Sequence, residues 1–199
     1  IKMHSPIHPS DTKLLAPPRQ RLAYDELLAK QIAIALVRNN NQKKIGISHN
    51  SEGKFINEIL NVVNFEPTKS QEIVFKEIKK DMSSTYRMTR LLQGDVGSGK
   101  TFVAAMACAY AAESGSQIAL MAPTEILARQ HLTSLKLLLD PLGLTVEALT
   151  GRDKGLQRKA LETGLKEGYI DVVIGTHALF QNNTIFKKLG LVIIDEQHR

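Results

Sequence analysis

Gly94-Asp95-Val96-Gly97-Ser98-Gly99-Lys100-Thr101 is the stretch on which the reading of this chain turns. It has the spacing G-x-x-x-x-G-K-[ST], and its flanks are of the kind such a loop requires. Thr89–Gln93 before it reads as a short strand, and the Ala-rich Gly99–Ser114 reads as a helix. Glycines let the backbone curl so that successive N–H groups face phosphate oxygens, and the helix that follows adds the positive end of its dipole. In that arrangement Gly94, Gly97, Ser98 and Gly99 cradle the phosphates, Lys100 reaches the β- and γ-phosphates, and the Thr101 hydroxyl ligates Mg²⁺.

A phosphate loop needs a second anchor for the metal, an acid at the carboxyl end of a buried parallel strand near the loop. Leu191-Val192-Ile193-Ile194-Asp195-Glu196 supplies it. Asp195 is expected to hold Mg²⁺ through water, and Glu196 to orient and deprotonate an attacking water. The two motifs together imply hydrolysis of a nucleoside triphosphate.

The residues around these motifs alternate between the two regular patterns. Helices are expected at Thr68–Met82, Glu125–Asp140 and Gly155–Glu167, and strands at Gln117–Ala122, Leu144–Leu149, Asp171–Gly175 and Leu191–Ile194. Continuous apolar runs such as Ile118-Ala119-Leu120-Met121 are how strands covered on both faces read. Strand, helix, strand in succession implies right-handed crossovers, so the expected fold class is α/β, a parallel sheet flanked by helices. Gln71 precedes the phosphate loop by about one helix. Its amide can donate to and accept from an adenine edge, but Thr68-x-x-Gln71 is also a capping box for its own helix, and spacing leaves both roles open.

Residues 1–63 read differently. Four of the seven prolines fall within residues 1–18, an extended lead-in. Arg19–Arg38 is patterned as one amphipathic helix ended by Asn39-Asn40-Asn41, with a short helix at Lys54–Val62. The expected division is therefore a helical appendage over 1–63 and a lobe over 64–199.

Composition bounds the class of protein. The chain has 199 residues, 43% hydrophobic and 23% charged, which excludes a disordered or collagen-like chain. Its longest small-and-apolar run, Phe102–Ala112, is far short of the roughly 20 residues that cross a bilayer. No secretory leader is visible at Ile1, and the single Cys108 cannot form an internal disulfide, so a cytoplasmic location is expected. With no terminating element after Asp195, the chain reads as a piece of something longer. Net charge +6 is compatible with nucleic acid without demanding it.

Four motifs stand in order: GDVGSGKT at 94–101, APTE at 122–125, GTHALF at 175–180 and DEQHR at 195–199. In this combination they resemble the first motor lobe of superfamily 2 helicases, and more closely the RecG family of bacterial branched-DNA helicases. Arg19–Arg38 is similar to that family's helical segment between its DNA-binding wedge and its motor. Transcription-repair coupling translocases share the layout but typically carry Phe at Ser98, a second Thr at Glu125 and Glu at Gln197; these three positions side with RecG.

The resemblance implies a RecA-like P-loop lobe using ATP and Mg²⁺, with branched or duplex DNA as partner, no membrane and no required oligomer. It implies ATP-driven remodelling of stalled forks and Holliday junctions in recombination and repair. It assigns Gln71 to adenine, Lys100 and Thr101 to phosphate and Mg²⁺, Asp195 and Glu196 to hydrolysis, and Pro123, Thr124, Thr176 and His177 to the DNA backbone. From chemistry alone Thr124 is equally a helix N-cap, His177 equally a structural residue, and the cations Arg152, Lys154, Arg158 and Lys159 best explained as a solvated helix face. The wedge and the second lobe with its arginine finger are not among these residues. Such a finger is worth about 10³–10⁵ in rate, so the chain alone is expected to bind ATP·Mg²⁺ weakly and hydrolyse it barely. A coupling translocase and a nucleotide-gated binding module remain alternatives, the latter disfavoured by Glu196.

Overall fold

Side chains of successive strand residues point to opposite faces; in Gln117–Met121 and Val172–Gly175 both faces are apolar and covered, whereas in the run Leu191–Ile194, expected to be buried on both faces, Val192 and Ile194 stand exposed. The computed structural model describes residues 17–42, 44–63, 65–180 and 184–196. The chain divides into two units, Ile1–Ile45 and Gly46–Arg199.

The described part of the first unit is one helix, α1 (Pro17–Gln42). Two expectations are corrected here. Pro17 and Pro18 open the helix instead of preceding it, since proline's fixed φ and missing N–H suit a first turn. Asn39–Asn41 do not end it, because Asn lowers helix stability by only a few tenths of a kcal/mol per residue. The rest of the expected lead-in, residues 1–16, lies outside the described residues.

The second unit runs α2 (Lys54–Val62), α3 (Lys69–Met82), α4 (Lys100–Glu113), β1 (Gln117–Met121), α5 (Glu125–Leu139), β2 (Val146–Leu149), α6 (Gly155–Glu167), β3 (Val172–Gly175) and β4 (Leu189–Ile194). The sheet has the order β2-β3-β1-β4, and every pairing is parallel. Ile118 and Leu120 of β1, with Val172 and Ile174 of β3, face a large core shared with α2, α3, α4 and α5. Ala119, Leu149 and Val173 face the other way, against Leu165 of α6 and Leu179. The α/β class read from the apolar runs is the architecture found.

The expected boundary at residue 63 is displaced to 45. Helix α2 belongs to the second unit because Ile56 and Ile59 are part of its core, and because a distant carboxylate caps it. Glu113, the last residue of α4, accepts hydrogen bonds from Gly53 N and Lys54 N (3.0 and 3.1 Å) on Oε1 and from Phe55 N (3.2 Å) on Oε2. Those are amides that a helix start otherwise leaves without partners.

Thr89–Gln93, expected as a strand, takes no regular structure and joins no sheet. The Arg90 guanidinium reaches back to Asp81 (2.8 Å) and Glu77 on α3, tying the segment to a helix in place of a ladder. Leu92 packs on the core while Leu91 stands exposed.

Two buried groups carry consequences. Cys108 on α4 has no exposed surface, and burial pushes its thiol up to about 12. His49 is 2% exposed, with Nδ1 3.0 Å from Ser114 Oγ and Nε2 3.2 Å from Gly190 O. Burial lowers its pKa below 6.5, against the hydrogen bond to Gly190 and with help from nearby Lys188. A depressed folded value means that His49 contributes stability fully above pH 6.5 and loses it as the pH falls toward that value. The melting temperature is therefore expected to drop on acidification below 6.5, and His49→Leu to flatten that part of the profile; an unchanged slope in the variant would exclude His49 as its source. Among the described residues no helix is long and apolar enough to cross a membrane.

Candidate nucleotide site at the carboxyl edge of the sheet

Parallel strands leave their carboxyl ends on one edge, and three of the loops singled out in the sequence leave from it. Pro123–Thr124 follow β1, Thr176–His177 follow β3, and Asp195–Glu196 follow β4. Backbone bonds from Ala122 N to Gly175 O (2.8 Å) and from Asp195 N to Met121 O (2.9 Å) keep the three strand ends level. The fourth element arrives from the opposite direction. Helix α4 is joined to the start of β1 by the turn Ser114–Ser116, so it runs back along the sheet and its first residue returns to the carboxyl edge. The glycine loop thus heads a helix that packs on β1 and on β4, and β4 leads directly into the acidic pair.

In the loop, Gly97 (φ 82°) and Gly99 (φ 80°) hold left-handed conformations that other residues adopt at a cost. A Cβ on Gly99 would overlap the Gln71 amide, and one on Gly94 would lie 2.8 Å from Ser98 Oγ. Lys100 Nζ donates to Gly94 O and Asp95 O, both at 2.7 Å, which folds its ammonium over the loop. Thr101 stands in the first turn of α4, partly buried.

Of the two roles open to Gln71 the structure shows the cap, with an addition. Thr68 N donates to Gln71 Oε1 (2.9 Å) and Gln71 N to Thr68 Oγ1 (3.3 Å), completing the capping box. The other end of the amide, Nε2, donates to Ser98 O (3.0 Å), so the start of α3 is fastened to the phosphate loop. Beside it the half-exposed Phe65 meets Phe102 of α4 edge-on, with centroids 5.1 Å apart.

Asp195 and Glu196 sit differently. Asp195 Oδ2 accepts from His131 Nε2 of α5 at 2.7 Å. Glu196 has φ 48°, the one positive φ outside glycine among the described residues. Strain of this kind concentrates at working sites. Sequence reasoning missed His131, although a signal existed: with Ala128, Leu135 and Leu139 it falls at helical spacing on the stripe that faces the core.

Of the residues assigned to DNA, Thr124 is exposed and does cap α5, its Oγ1 accepting from Leu127 N (3.3 Å). Pro123 is partly buried beside it; Thr176 is partly buried and accepts Leu179 N on its carbonyl (3.0 Å), and His177 is exposed at the start of a 3₁₀ turn. In the basic cluster, Arg152 pairs with Glu125 (2.6 Å) and Arg158 with Glu162 (2.7 Å).

The site fits a nucleotide with Mg²⁺ on its own chemistry: a loop turned by two left-handed glycines, a cation folded over it, and hard hydroxyl and carboxylate oxygens of the kind Mg²⁺ prefers. The DEAD/DEAH box helicase family pattern matches residues 68–199. The chain belongs to that family.

Within the DEAD/DEAH box helicases the likeness to RecG read from the motifs is borne out. The chain is 45% identical over 183 residues to ATP-dependent DNA helicase RecG of Haemophilus influenzae, covering 92% of this chain and 26% of the relative. It is 46% identical over 198 residues to RecG of Bacillus subtilis, covering 99% and 29%. A solved structure titled "Structure of RecG bound to three-way DNA junction" superposes with a TM-score of 0.84 at 46% identity, over 91% of this chain and 25% of that one. A hypothetical ATP-dependent RNA helicase from Sulfolobus tokodaii, at 20% identity and TM-score 0.56, shares the fold. The chain thus spans 26% and 29% of these two relatives' length, and its parallel sheet is the RecA-like lobe of this family.

Proposed function

We propose that these residues form the nucleotide-holding lobe, with its helical lead-in, of a cytoplasmic ATP-dependent DNA helicase that remodels branched DNA. What supports the reading is that the glycine loop heads α4 and the acidic pair directly follows β4, elements that pack together in one lobe; similarity to RecG, one member of which is described on a three-way junction, supplies the substrate class.

Loop amides and the positive end of α4 hold the phosphates in register. Lys100 exchanges its two carbonyl partners for phosphate oxygens, while Thr101 and Asp195 hold Mg²⁺. Bound ATP·Mg²⁺ supplies a cleavable anhydride whose charge the metal neutralises. Glu196 orients a water and takes its proton. Gln71, which already grips the loop, lies where an adenine edge could exchange with its present partners. Pro123, Thr124, Thr176 and His177 line the same edge on separate loops and meet the DNA backbone there.

The test is strand displacement by a polypeptide carrying this chain at the length of its relatives. A three-way junction is expected to be resolved only with hydrolysable ATP, and far faster than a linear duplex. Equal rates on both substrates, or ATP turnover without strand separation, would overturn the branched-DNA helicase reading in favour of a translocase or a nucleotide switch.

A further inference from the structure

The apolar stripe of α5 contains one imidazole where an apolar residue would ordinarily sit. Ala128 and Leu135 on that stripe have no exposed surface, and His131 lies between them with a side chain only 15% exposed. A polar group so placed costs stability unless it is hydrogen-bonded, and its partner is Asp195 Oδ2, 2.7 Å away at the end of β4. The other carboxylate oxygen is left for other work.

We propose that His131 is a positioning residue for Mg²⁺ binding: it fixes the rotation of the Asp195 carboxylate so that Oδ1 is presented toward the metal carried by the nucleotide. This rests on the reading of Asp195 as the metal-holding acid. Outer partners that orient a ligating carboxylate are worth about 10–100-fold in metal affinity when removed. A merely structural His131 would instead change the stability of the lobe and leave the metal requirement where it was.

The test compares two amides that differ in reach. In His131→Gln the side-chain nitrogen can occupy the place of Nε2; in His131→Asn it falls short of Asp195. Binding of a fluorescent N-methylanthraniloyl ATP is titrated with Mg²⁺, and separately measured in EDTA. For His131→Asn the half-saturating Mg²⁺ concentration is expected to rise about tenfold or more, while for His131→Gln it stays within about threefold of the parent. Affinity in EDTA stays within about twofold for both, as for separate sites. Should the Asn variant melt early, His131→Leu, which refills the apolar stripe, is expected to show the same rise. An unchanged Mg²⁺ requirement in a folded Asn or Leu variant, or an equal loss of affinity in EDTA, overturns the proposal. Asp195→Asn separates the two layers: if it leaves the Mg²⁺ requirement unchanged, the metal role of Asp195 itself fails; if it raises the requirement and His131→Asn does not, only the positioning role fails.

Discussion

Lys100→Ala is expected to lower kcat/KM for ATP by about 10³-fold or more while DNA affinity stays within about twofold. The first figure combines two losses. A pre-organised donor aimed at charge that develops in the transition state is worth about 10²–10³ in turnover, and a charge-assisted hydrogen bond about 1.5–3 kcal/mol of binding. The second figure follows from placement. Lys100 touches the carbonyls of Gly94 and Asp95, within its own loop, whereas Pro123, Thr124, Thr176 and His177 leave from other strands. The measurement is ATPase activity beside DNA binding by anisotropy in a polypeptide of the relatives' length. Loss of DNA binding in step with ATPase, in a protein whose melting temperature is unchanged, would contradict the assignment of separate surfaces.

Gly175→Val is expected to destabilise the lobe by about 3 kcal/mol or more, lowering the melting temperature by roughly 10 °C. Gly175 ends β3, in register with Met121 of β1 and Leu149 of β2, and its carbonyl accepts Ala122 N at 2.8 Å. A Cβ there would overlap the Leu149 carbonyl oxygen and lie 2.9 Å from Leu179 Cγ. A flexible side chain yields to such crowding, but Leu149 O is backbone held in the ladder, so β2 and β3 must separate at their carboxyl ends. Gly175→Ala imposes the same overlap with fewer atoms and is expected to show a smaller drop. Thermal unfolding followed by circular dichroism decides it; a Val variant melting within 2 °C of the parent would show that this edge yields freely.

What was legible in the sequence was what chemistry or periodicity forces. A phosphate cradle requires Gly, Lys and Thr at fixed spacing, and Gly97 and Gly99 do take the conformations that composition implies. Strands covered on both faces must be apolar throughout, and Ile118-Ala119-Leu120-Met121 was placed to within a residue of β1. What escaped depends on partners far along the chain. The cap of α2 is a carboxylate about sixty residues away, so nothing near Gly53 announces that α2 belongs to the lobe. Thr89–Gln93 has a strand's composition, but Arg90 binds α3, and such a segment becomes a strand only beside a neighbour with free groups. The place of His131 on the buried stripe of α5 was legible, but its partner Asp195, 64 residues away, was not. The Gln71 ambiguity was real in the sequence because one amide has two ends, and both are in use.

The helix that carries Lys100 at its first position also carries Cys108 two turns further on, sealed from solvent and with its thiol held protonated. An alkylating dye reacts with thiolate, so labelling must wait until α4 lifts out of the core packed around it. The labelling half-life becomes a clock for that lifting, read without any engineered probe. Where ATP binds only the closed lobe, saturating nucleotide lengthens the half-life by the factor 1 + [L]/Kd, and a weak ligand can be weighed by how long it delays one sulfur.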